Sequence, residues 1–339
     1  MTSPDPSLAA GTAAIARAYG LGEIRSTRYL ESGVLNRNWR LDTAHGRYAL
    51  KELDALAPDE ARRSLGLLPV LAAAGVPVAE AVPSPSGEAV VQIGGHHYYL
   101  TAWIDGTHPR GAEMDRDRSF HLGTVLGRVH RALADPATGL AVPARPELKV
   151  TTFAAARERI GHHLGRIAVR EEPDAFDRAV EPMLRERPEL LAAHEHRRPS
   201  EDDSPEPFGW IHGDCQNWNL LWRGDRIAAV IDWDRLRVNP YGEEIVRAAM
   251  YQFALPDGSV DSGNVAALVA GYRTEAAIGP LALAVAARHR WRRLLTSVWH
   301  LKHHYDRGDG ASDGLFFADE RLLRWWTAHL DEVEAAFAA

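Results

Sequence analysis

The chain has 339 residues, of which 45% are hydrophobic and 25% are charged, values typical of a globular protein without membrane spans. With 39 Lys and Arg against 46 Asp and Glu, the formal net charge is −7. This mild acidity argues against nucleic acid as the main partner, because phosphate binding calls for a basic surface. The single cysteine, Cys215, excludes an intrachain disulfide. At about 150 residues per domain, the length predicts two domains or lobes. The N-terminus, MTSPDPSL, lacks the features of a signal peptide, so we expect a cytoplasmic protein.

The first 104 residues combine two helical patterns with short alternating stretches. Amphipathic spacing predicts helices over Leu8–Tyr19 and Pro58–Ala74, each followed by a glycine that ends it. Alternation between turn residues predicts five strands, namely Arg25–Glu31, Asn38–Asp42, Arg47–Leu53, Ala89–Ile93 and His97–Trp103. We therefore predict a small antiparallel sheet with one main helix against it.

The composition changes after residue 104. A polar link over 105–118 leads into a helical pattern over 119–133, and two further helices are predicted between 152 and 191. A charged, proline-rich loop over 194–207 precedes strands and tight turns over 209–234, and the chain after Glu243 reads as helical. The predicted fold class is thus α+β, with a larger and mostly helical second domain over 105–339.

The polar residues with the clearest chemical pattern lie in the segment 210–234. A tight loop from His212 to Asn219 follows an apolar strand, and the next two strands can pair as a hairpin across a Gly-Asp turn. That pairing would bring Asp232 beside Asn219, so that Asp214, Asn219 and Asp232 converge. Carboxylate and amide oxygens suit a hard cation such as Mg²⁺, and a remaining carboxylate can orient and deprotonate an attacking hydroxyl.

Two motifs in this segment, H-G-D-x-x-x-x-N over 212–219 and I-D-W-D over 231–234, resemble those of the aminoglycoside phosphotransferase and choline kinase family. This family is the small-molecule branch of the protein-kinase fold. The resemblance covers most of residues 20–275, with a variable insertion at about 140–208, and implies a bilobal fold with lobes 1–104 and 105–339. It implies that Asp214 is catalytic and that Asn219 and Asp232 hold Mg²⁺.

Two departures from protein kinases narrow the class. Gly213 replaces the arginine of H-R-D, and no long segment ending in A-P-E follows Asp232. A small-molecule kinase is therefore favoured over a protein kinase that is gated by phosphorylation.

The resemblance also places nucleotide contacts in the first lobe. Ser32 and Gly33 lie where the family has its phosphate-covering loop, and a glycine there allows close approach of the backbone to a polyphosphate. Thr101 and Trp103 belong to the segment that resembles the hinge, whose backbone receives the adenine.

Lys51, in Tyr-Ala-Leu-Lys, matches the strand lysine that contacts the α- and β-phosphates. Its glutamate partner on the following helix has no clear match, because residues 64–68 contain no acid. Glu60 is the best candidate, with Glu52 as the alternative.

Three residues are candidates for contact with the acceptor substrate: Trp218, Asp234 and Glu243. Trp218 can stack on a sugar or nucleobase, and the acids can face a cationic amino sugar, although core packing, a solvated surface and helix capping explain them as well.

His300, His303 and His304 have a helical spacing that suits a metal ion. Without H-E-x-x-H, a polar helix face at the mouth of the substrate site is the favoured interpretation.

The expected reaction is transfer of the γ-phosphoryl group of ATP, with GTP left open, to a hydroxyl of a small molecule by a monomer or homodimer. Aromatic surroundings and an Ala/Arg-rich composition favour a sugar-bearing antibiotic, either an aminoglycoside or a nucleoside, and hence a role in resistance or self-protection. The alternative is a metabolic kinase for homoserine, a sugar or choline, since residues 33–38 look like the phosphate loop of homoserine kinases of this fold. A third reading, a catalytically inactive nucleotide-binding relative, is opposed by the intact site residues.

Overall fold

The computed structural model describes residues 8, 10–30, 36–54, 56–147, 149–200 and 206–339. The chain divides into two compact units. The first comprises Met1–Pro109, Val125–Val142 and Trp210–Arg237, and the second comprises Arg110–Thr124, Pro143–Gly209 and Val238–Ala339. The segment with the two chemical motifs therefore belongs to the same unit as the N-terminal sheet. The lobe boundary after residue 104 stays a prediction.

The first unit is built on an antiparallel sheet in the order β1-β2-β3-β5-β4. Its strands are β1 (Ile24–Tyr29), β2 (Arg37–Thr43), β3 (Arg47–Glu52), β4 (Val90–Ile93) and β5 (His96–Ala102). Helix α1 (Thr12–Tyr19) precedes the sheet and helix α2 (Pro58–Ala73) follows β3. One face of the sheet buries an apolar core with α1, and Tyr19 Oη donates to the carbonyl of Tyr98 at 2.8 Å. Strand β3, which carries Lys51, is the central strand of this sheet and is held by a neighbour on each side.

Four shorter strands surround the motif segment: β6 (Phe208–Ile211), β7 (Leu220–Arg223), β8 (Arg226–Val230) and β9 (Arg237–Pro240). β7 and β8 form the predicted hairpin across Gly224 and Asp225. The carbonyl of Pro77 accepts from the amide of Val230 at 2.8 Å, and this bond ties the hairpin to the chain that follows α2.

The remaining α-helices of the described residues have 9 to 19 residues and lie mostly in the second unit. They are α3 (Arg116–Leu133), α4 (Phe153–Ala168), α5 (Ala175–Ala193), α6 (Tyr241–Phe253), α7 (Ser262–Arg273), α8 (Pro280–Thr296), α9 (Trp299–Arg307), α10 (Asp313–Ala328) and α11 (Leu330–Ala338). The predicted α+β class is confirmed. Among the described residues, no helix has both the length and the apolar character needed to cross a bilayer; the cytoplasmic location stays a prediction.

Two helices begin about one turn away from the predicted residue. Helix α1 begins at Thr12 rather than at Leu8, because Gly11 precedes it with a φ of 72°. Helix α3 begins at Arg116, inside the stretch predicted to be a polar link, since charged residues are tolerated on the outer face of a first turn.

Candidate active site

The hairpin β7–β8 brings the two motifs together. Leu220 pairs with Val230, and the amide of Ile231 donates to the carbonyl of Asn219 at 2.9 Å. Asp232 follows Ile231, so its backbone lies next to Asn219, although thirteen positions separate the two residues in sequence. The predicted hairpin pairing is confirmed, and the shared metal site of Asp214, Asn219 and Asp232 stays a prediction.

A buried histidine holds the loop that carries Asp214. His212 has no exposed surface, its Nδ1 accepts from the amide of Asp214 at 3.2 Å, and its Nε2 lies 3.0 Å from the carbonyl of Ile231. An amide can only donate and a carbonyl can only accept, so these bonds fit a neutral ring with its proton on Nε2. His212 thus links the loop of Asp214 directly to the residue before Asp232.

The residue between His212 and Asp214 must be a glycine. Gly213 has a φ of 84°, and a Cβ there would lie 2.0 Å from the carbonyl oxygen of Arg235. Any larger residue would push the loop away from the turn that holds Asp232. The same close approach explains why the arginine of H-R-D has no counterpart in this chain.

Asn219 locks the other end of the loop. Its Nδ2 donates to the carbonyl of Asp214 at 2.8 Å and lies 3.2 Å from Asp214 Oδ2. Because the amide nitrogen is used in this way, the amide oxygen of this buried side chain is left as a candidate metal ligand.

Asp232 adopts a left-handed backbone conformation, with a φ of 63° and a ψ of 62°. Among the described non-glycine residues no other has a positive φ. Aspartate is one of the few residue types that enter this region readily. Such a conformation is retained where the surroundings fix it, and here Lys51 Nζ contacts Asp232 Oδ1 at 2.8 Å.

Lys51 lies between two carboxylates. Its Nζ is 2.8 Å from Asp232 Oδ1 and 3.0 Å from Asp234 Oδ2, and it sits 5.4 Å from the centre of the Tyr99 ring. The sheet register explains the contact with Tyr99, because Lys51 and Tyr99 are opposite each other on β3 and β5. Asp234, with a side chain 11% exposed, is held further by Tyr99 Oη at 3.3 Å and Asn36 Nδ2 at 3.0 Å.

These contacts set the charges of the three groups. Burial alone would lower the pKa of Lys51, but Tyr99, Asp232 and Asp234 together raise it well above its usual value. Burial opposes ionisation of Asp232 too, yet Lys51 holds the pKa of Asp232 below its usual value. Burial raises the pKa of Asp234 above the usual range, against the effect of Lys51. Lys51 is therefore a cation, and Asp232 is the more acidic of its two partners.

The predicted glutamate partners of Lys51 are replaced by these aspartates. Glu60 is exposed on α2 and is not among the described acids within ion-pair distance of Lys51. Glu52, which alternates to the opposite face of β3, is fully buried and accepts from Tyr98 Oη at 2.9 Å. In place of an acid, α2 presents Ser64, whose Oγ donates to the carbonyl of Trp233 at 3.0 Å. The helix thus positions the turn between Asp232 and Asp234 without contacting Lys51.

Of the four other residues predicted to contact the nucleotide, two lie within the described part of the chain. Ser32 and Gly33 lie outside the described residues. Thr101 lies in β5 opposite Ala49, and Trp103 donates its amide to the carbonyl of Arg47 at 3.0 Å and its indole Nε1 to Asp105 at 2.9 Å. Both N–H groups of Trp103 are therefore used within the protein.

Trp218 and Glu243 differ in exposure. Trp218 is 45% exposed at the end of the catalytic loop, with its ring 5.3 Å from that of His108. Glu243 is buried in the first turn of α6, in the second unit. Trp218 is thus a surface aromatic of the motif segment, as a stacking role requires.

The helical histidines do not form one metal-ligand group within the described part of the chain. His300 lies 3.4 Å from Asp319, while His304 lies 3.0 Å from Asp313 and stacks on Phe176. Each of these two rings has a different acid, so the metal interpretation of their spacing gains no support.

Sequence reasoning missed two residues of the site, Tyr99 and Asn36. Both contact Asp234, and Tyr99 also contacts Lys51. A register of β3 against β5 would have found Tyr99, because it stands opposite Lys51. Asn36 lies just before β2 and had no such signal.

A lysine on a sheet strand, an aspartate in a braced loop, and an asparagine and aspartate joined by a hairpin define a kinase-like phosphotransferase site. The sequence model of the phosphotransferase enzyme family (APH) matches residues 26–281, and the chain belongs to that family. The chain is a small-molecule phosphotransferase with a hydroxyl acceptor.

Individual relatives extend over nearly the whole chain. A homoserine kinase of Methylobacillus flagellatus is 25% identical over 337 residues, which cover 95% of this chain and 94% of that protein. Among solved structures, spectinomycin phosphotransferase in complex with ADP and spectinomycin gives a TM-score of 0.65 at 13% identity, covering 95% of this chain and 96% of that one. Amicoumacin kinase in complex with AMP-PNP, Ca²⁺ and Ami gives a TM-score of 0.58 at 16% identity, covering 95% and 91%. These likenesses show the protein-kinase-like fold.

Proposed function

We propose that this protein transfers the γ-phosphoryl group of ATP to the side-chain hydroxyl of a small amino acid of the homoserine type. Phosphoryl transfer is supported above all by the hairpin that sets Asp232 beside Asn219, within a unit that also holds Asp214 and Lys51. The acceptor class is supported by the homoserine kinase of Methylobacillus flagellatus, which matches this chain almost from end to end.

Each polar residue has a distinct role in this reaction. Asp214 orients the acceptor hydroxyl and takes its proton, while His212 and Asn219 keep its loop in place. Lys51 binds the nucleotide phosphates, and Asp234 and Tyr99 hold Lys51 in position. The transition state of phosphoryl transfer is loose, so positioning and charge neutralisation supply most of the catalysis.

The site fits a divalent cation. Asn219 and Asp232 supply one amide oxygen and one ionised carboxylate, the oxygen donors that Mg²⁺ prefers, and phosphate oxygens can complete its coordination. When bound, Mg²⁺ neutralises charge on the phosphates. Ser32, Gly33, Thr101 and Trp103 remain the proposed contacts to the nucleotide, with GTP as an alternative donor.

A sugar-bearing antibiotic is the second candidate acceptor. It is supported by the likeness to spectinomycin phosphotransferase and by the half-exposed Trp218, which can stack on a sugar ring. Asp234 no longer supports it, because its carboxylate is engaged with Lys51.

The test is nucleotide consumption with Mg²⁺ across L-homoserine, choline, free sugars, aminoglycosides and nucleoside antibiotics, with ATP and GTP compared. We expect the highest kcat/KM with L-homoserine and ATP, and loss of turnover with chelator. A clear preference for an antibiotic would replace the amino-acid acceptor with the second candidate. Absence of turnover with every acceptor, together with tight ATP binding, would favour the inactive relative.

A further inference from the structure

The segment 103–109, which follows β5, is attached to the sheet through Asp105. Arg47, the first residue of β3, donates Nη1 to Asp105 Oδ1 at 2.9 Å and Nη2 to Asp105 Oδ2. Trp103 donates its indole Nε1 to the same carboxylate at 2.9 Å. Strand β3 also carries Lys51, so this segment is joined to the strand that holds the lysine of the site.

The other end of this segment is attached to the β7–β8 hairpin. Thr107 and Trp222 exchange both of their backbone hydrogen bonds, each at 2.9 Å, as two opposite residues of antiparallel strands do. Gly106 permits this approach, because a Cβ there would lie 2.9 Å from the carbonyl oxygen of Trp222. All of these residues belong to the first unit. The backbone just before His108 is therefore held in place against the hairpin.

His108 uses one ring nitrogen to contact two carbonyls of the catalytic loop. Its Nδ1 lies 2.9 Å from the carbonyl oxygen of Asn217 and 3.0 Å from that of Leu220. Because a carbonyl can only accept, Nδ1 carries the proton and donates to both. The 3₁₀ turn Asn217–Asn219 lies between these two carbonyls. One side chain from outside the loop thus spans the turn that contains Asn219.

The turn itself has weak internal hydrogen bonding. The amide of Asn219 donates to the carbonyl of Gln216 at 2.9 Å, and that of Leu220 donates to the carbonyl of Asn217. Hydrogen bonds in 3₁₀ turns have poorer geometry than those in α-helices. The side chain of Asn217 is buried, and its Nδ2 has no hydrogen-bond partner among the described residues, which is costly. Such a turn needs support from outside, and the two hydrogen bonds of His108 supply it.

We propose that His108 is a positioning residue for metal binding: it holds the turn so that the amide oxygen of Asn219 stays in place as a ligand. The proposal rests on the proposed function, in which Asn219 and Asp232 hold Mg²⁺. The side chain of Asn219 is fixed at its nitrogen by Asp214, and His108 fixes the backbone on both sides of it. Groups that orient metal ligands typically contribute about 10- to 100-fold to metal affinity or activity.

Calorimetric titration of the full-length protein with ADP, once with Mg²⁺ and once with chelator, tests this role. His108→Phe keeps a ring beside Trp218 but removes the donor, whereas His108→Asn keeps a nitrogen on Cγ, as Nδ1 is, but removes the ring. We expect His108→Phe to weaken ADP binding about tenfold with Mg²⁺ and to have little effect with chelator. His108→Asn should bind nearly like the parent protein.

Two further variants make the comparison strict. His108→Leu has the shape of asparagine without its donor and should behave like His108→Phe, so the test does not depend on the folding of one variant. His45→Phe, at an exposed histidine between β2 and β3, is the control and should bind like the parent protein. Binding of ADP and Mg²⁺ that is unchanged in His108→Phe and His108→Leu would overturn the proposal. An equal loss in His108→Asn would overturn it as well, because the effect would then come from packing of the ring.

The Mg²⁺ dependence of turnover gives a readout that a general loosening of the fold would not produce. His108→Phe should raise the Mg²⁺ concentration for half-maximal rate about tenfold, and kcat should return to the parent value at saturating Mg²⁺. A kcat that stays low at saturating Mg²⁺ would overturn the proposal. If L-homoserine is not phosphorylated but the ADP titrations give the expected order, the proposed acceptor is wrong and the role of His108 stands. If L-homoserine is phosphorylated with the same Mg²⁺ dependence by His108→Phe, and ADP binding is unchanged, the role of His108 is wrong and the proposed function stands.

Discussion

Lys51 in the first unit and Arg293 in the second are both affected by other charged groups, but their partners differ. Lys51 contacts two aspartates at 2.8 and 3.0 Å, and the tyrosine opposite it on the sheet holds one of them. Arg293 has no such contact among the described residues, although Glu243 as well as Arg290 and Arg247 act on its charge. One cation is matched by the chain itself and the other is not.

The second unit also contains an arginine that is paired within the protein, so the difference between Lys51 and Arg293 is not a general difference between the two units. Arg187 is buried to the same extent as Glu320, which it contacts at 2.7 Å, and it also donates to carbonyls at the C-terminal end of α8. Arg187 is thus a buried cation that the chain itself pairs. A buried cation that the chain itself pairs is costly to leave without its partner. The contrast can be tested by removing members of each set.

The largest effect on activity is expected from Asp214→Ala, which leaves Lys51 and Arg293 unchanged. Loss of the proposed base should lower kcat about 10³-fold, because general-base catalysis contributes about 10² to 10⁴. ATP affinity should change less than twofold, as measured by calorimetry. Asp225→Ala, in the exposed hairpin turn, is the matched control and should keep full activity.

Asp232→Ala should behave in the opposite way to Asp214→Ala. It should reduce ATP affinity in the presence of Mg²⁺ and have little effect on binding measured with chelator. Equal loss of turnover and nucleotide affinity in both variants would contradict the separate roles assigned to the two aspartates.

The next effect concerns stability and compares a matched with an unmatched arginine. Arg187→Met breaks a fully buried ion pair and should lower the free energy of unfolding by about 3–5 kcal/mol. Arg293→Met removes an unpaired charge and should leave stability within about 0.5 kcal/mol. Urea denaturation followed by circular dichroism measures both. A large destabilisation by Arg293→Met would show that this residue has a structural partner after all.

A smaller effect on activity is expected from a change at the ion pairs of Lys51 in the first unit. Asp234→Ala removes one of the two carboxylates at Lys51 and should lower kcat/KM about 10- to 100-fold, since small displacements of a positioning group are costly. Glu60→Ala, at an exposed position of α2, should change kcat/KM less than twofold. If the two variants reversed this order, the helix glutamate would be the partner of Lys51 in the working enzyme.

The fold and the motif segment were largely predictable from sequence because each depended on local patterns. Alternation gave the five sheet strands, and a Gly-Asp turn between two short strands gave the hairpin that places Asp232. Both signals act over a few residues, so neighbouring chain was enough to interpret them.

The partner of Lys51 was not predictable in this way. Asp234 lies 183 positions from Lys51 in sequence, and its contacts arise from the strand register and from the left-handed turn at Asp232. The expectation of Glu60 followed the family pattern, which this chain does not keep. The acceptor had no local signal either, because aromatic and acidic residues near the motifs serve packing and ion pairs as readily as substrate binding.

The smallest effect is expected at Trp218. Unlike Lys51 and Arg187, which are buried and ion-paired, this residue is half-exposed and is proposed to contact the acceptor. Trp218→Ala should raise the KM of the acceptor about two- to tenfold, the loss expected for one aromatic contact, with little change in ATP affinity. Trp218→Phe should restore most of the affinity, because it keeps a ring beside His108. Phe120→Ala, at an aromatic of similar exposure in α3, is the control. An acceptor KM unchanged by Trp218→Ala would leave this tryptophan as a surface residue, and acceptor recognition would then depend on charge rather than stacking.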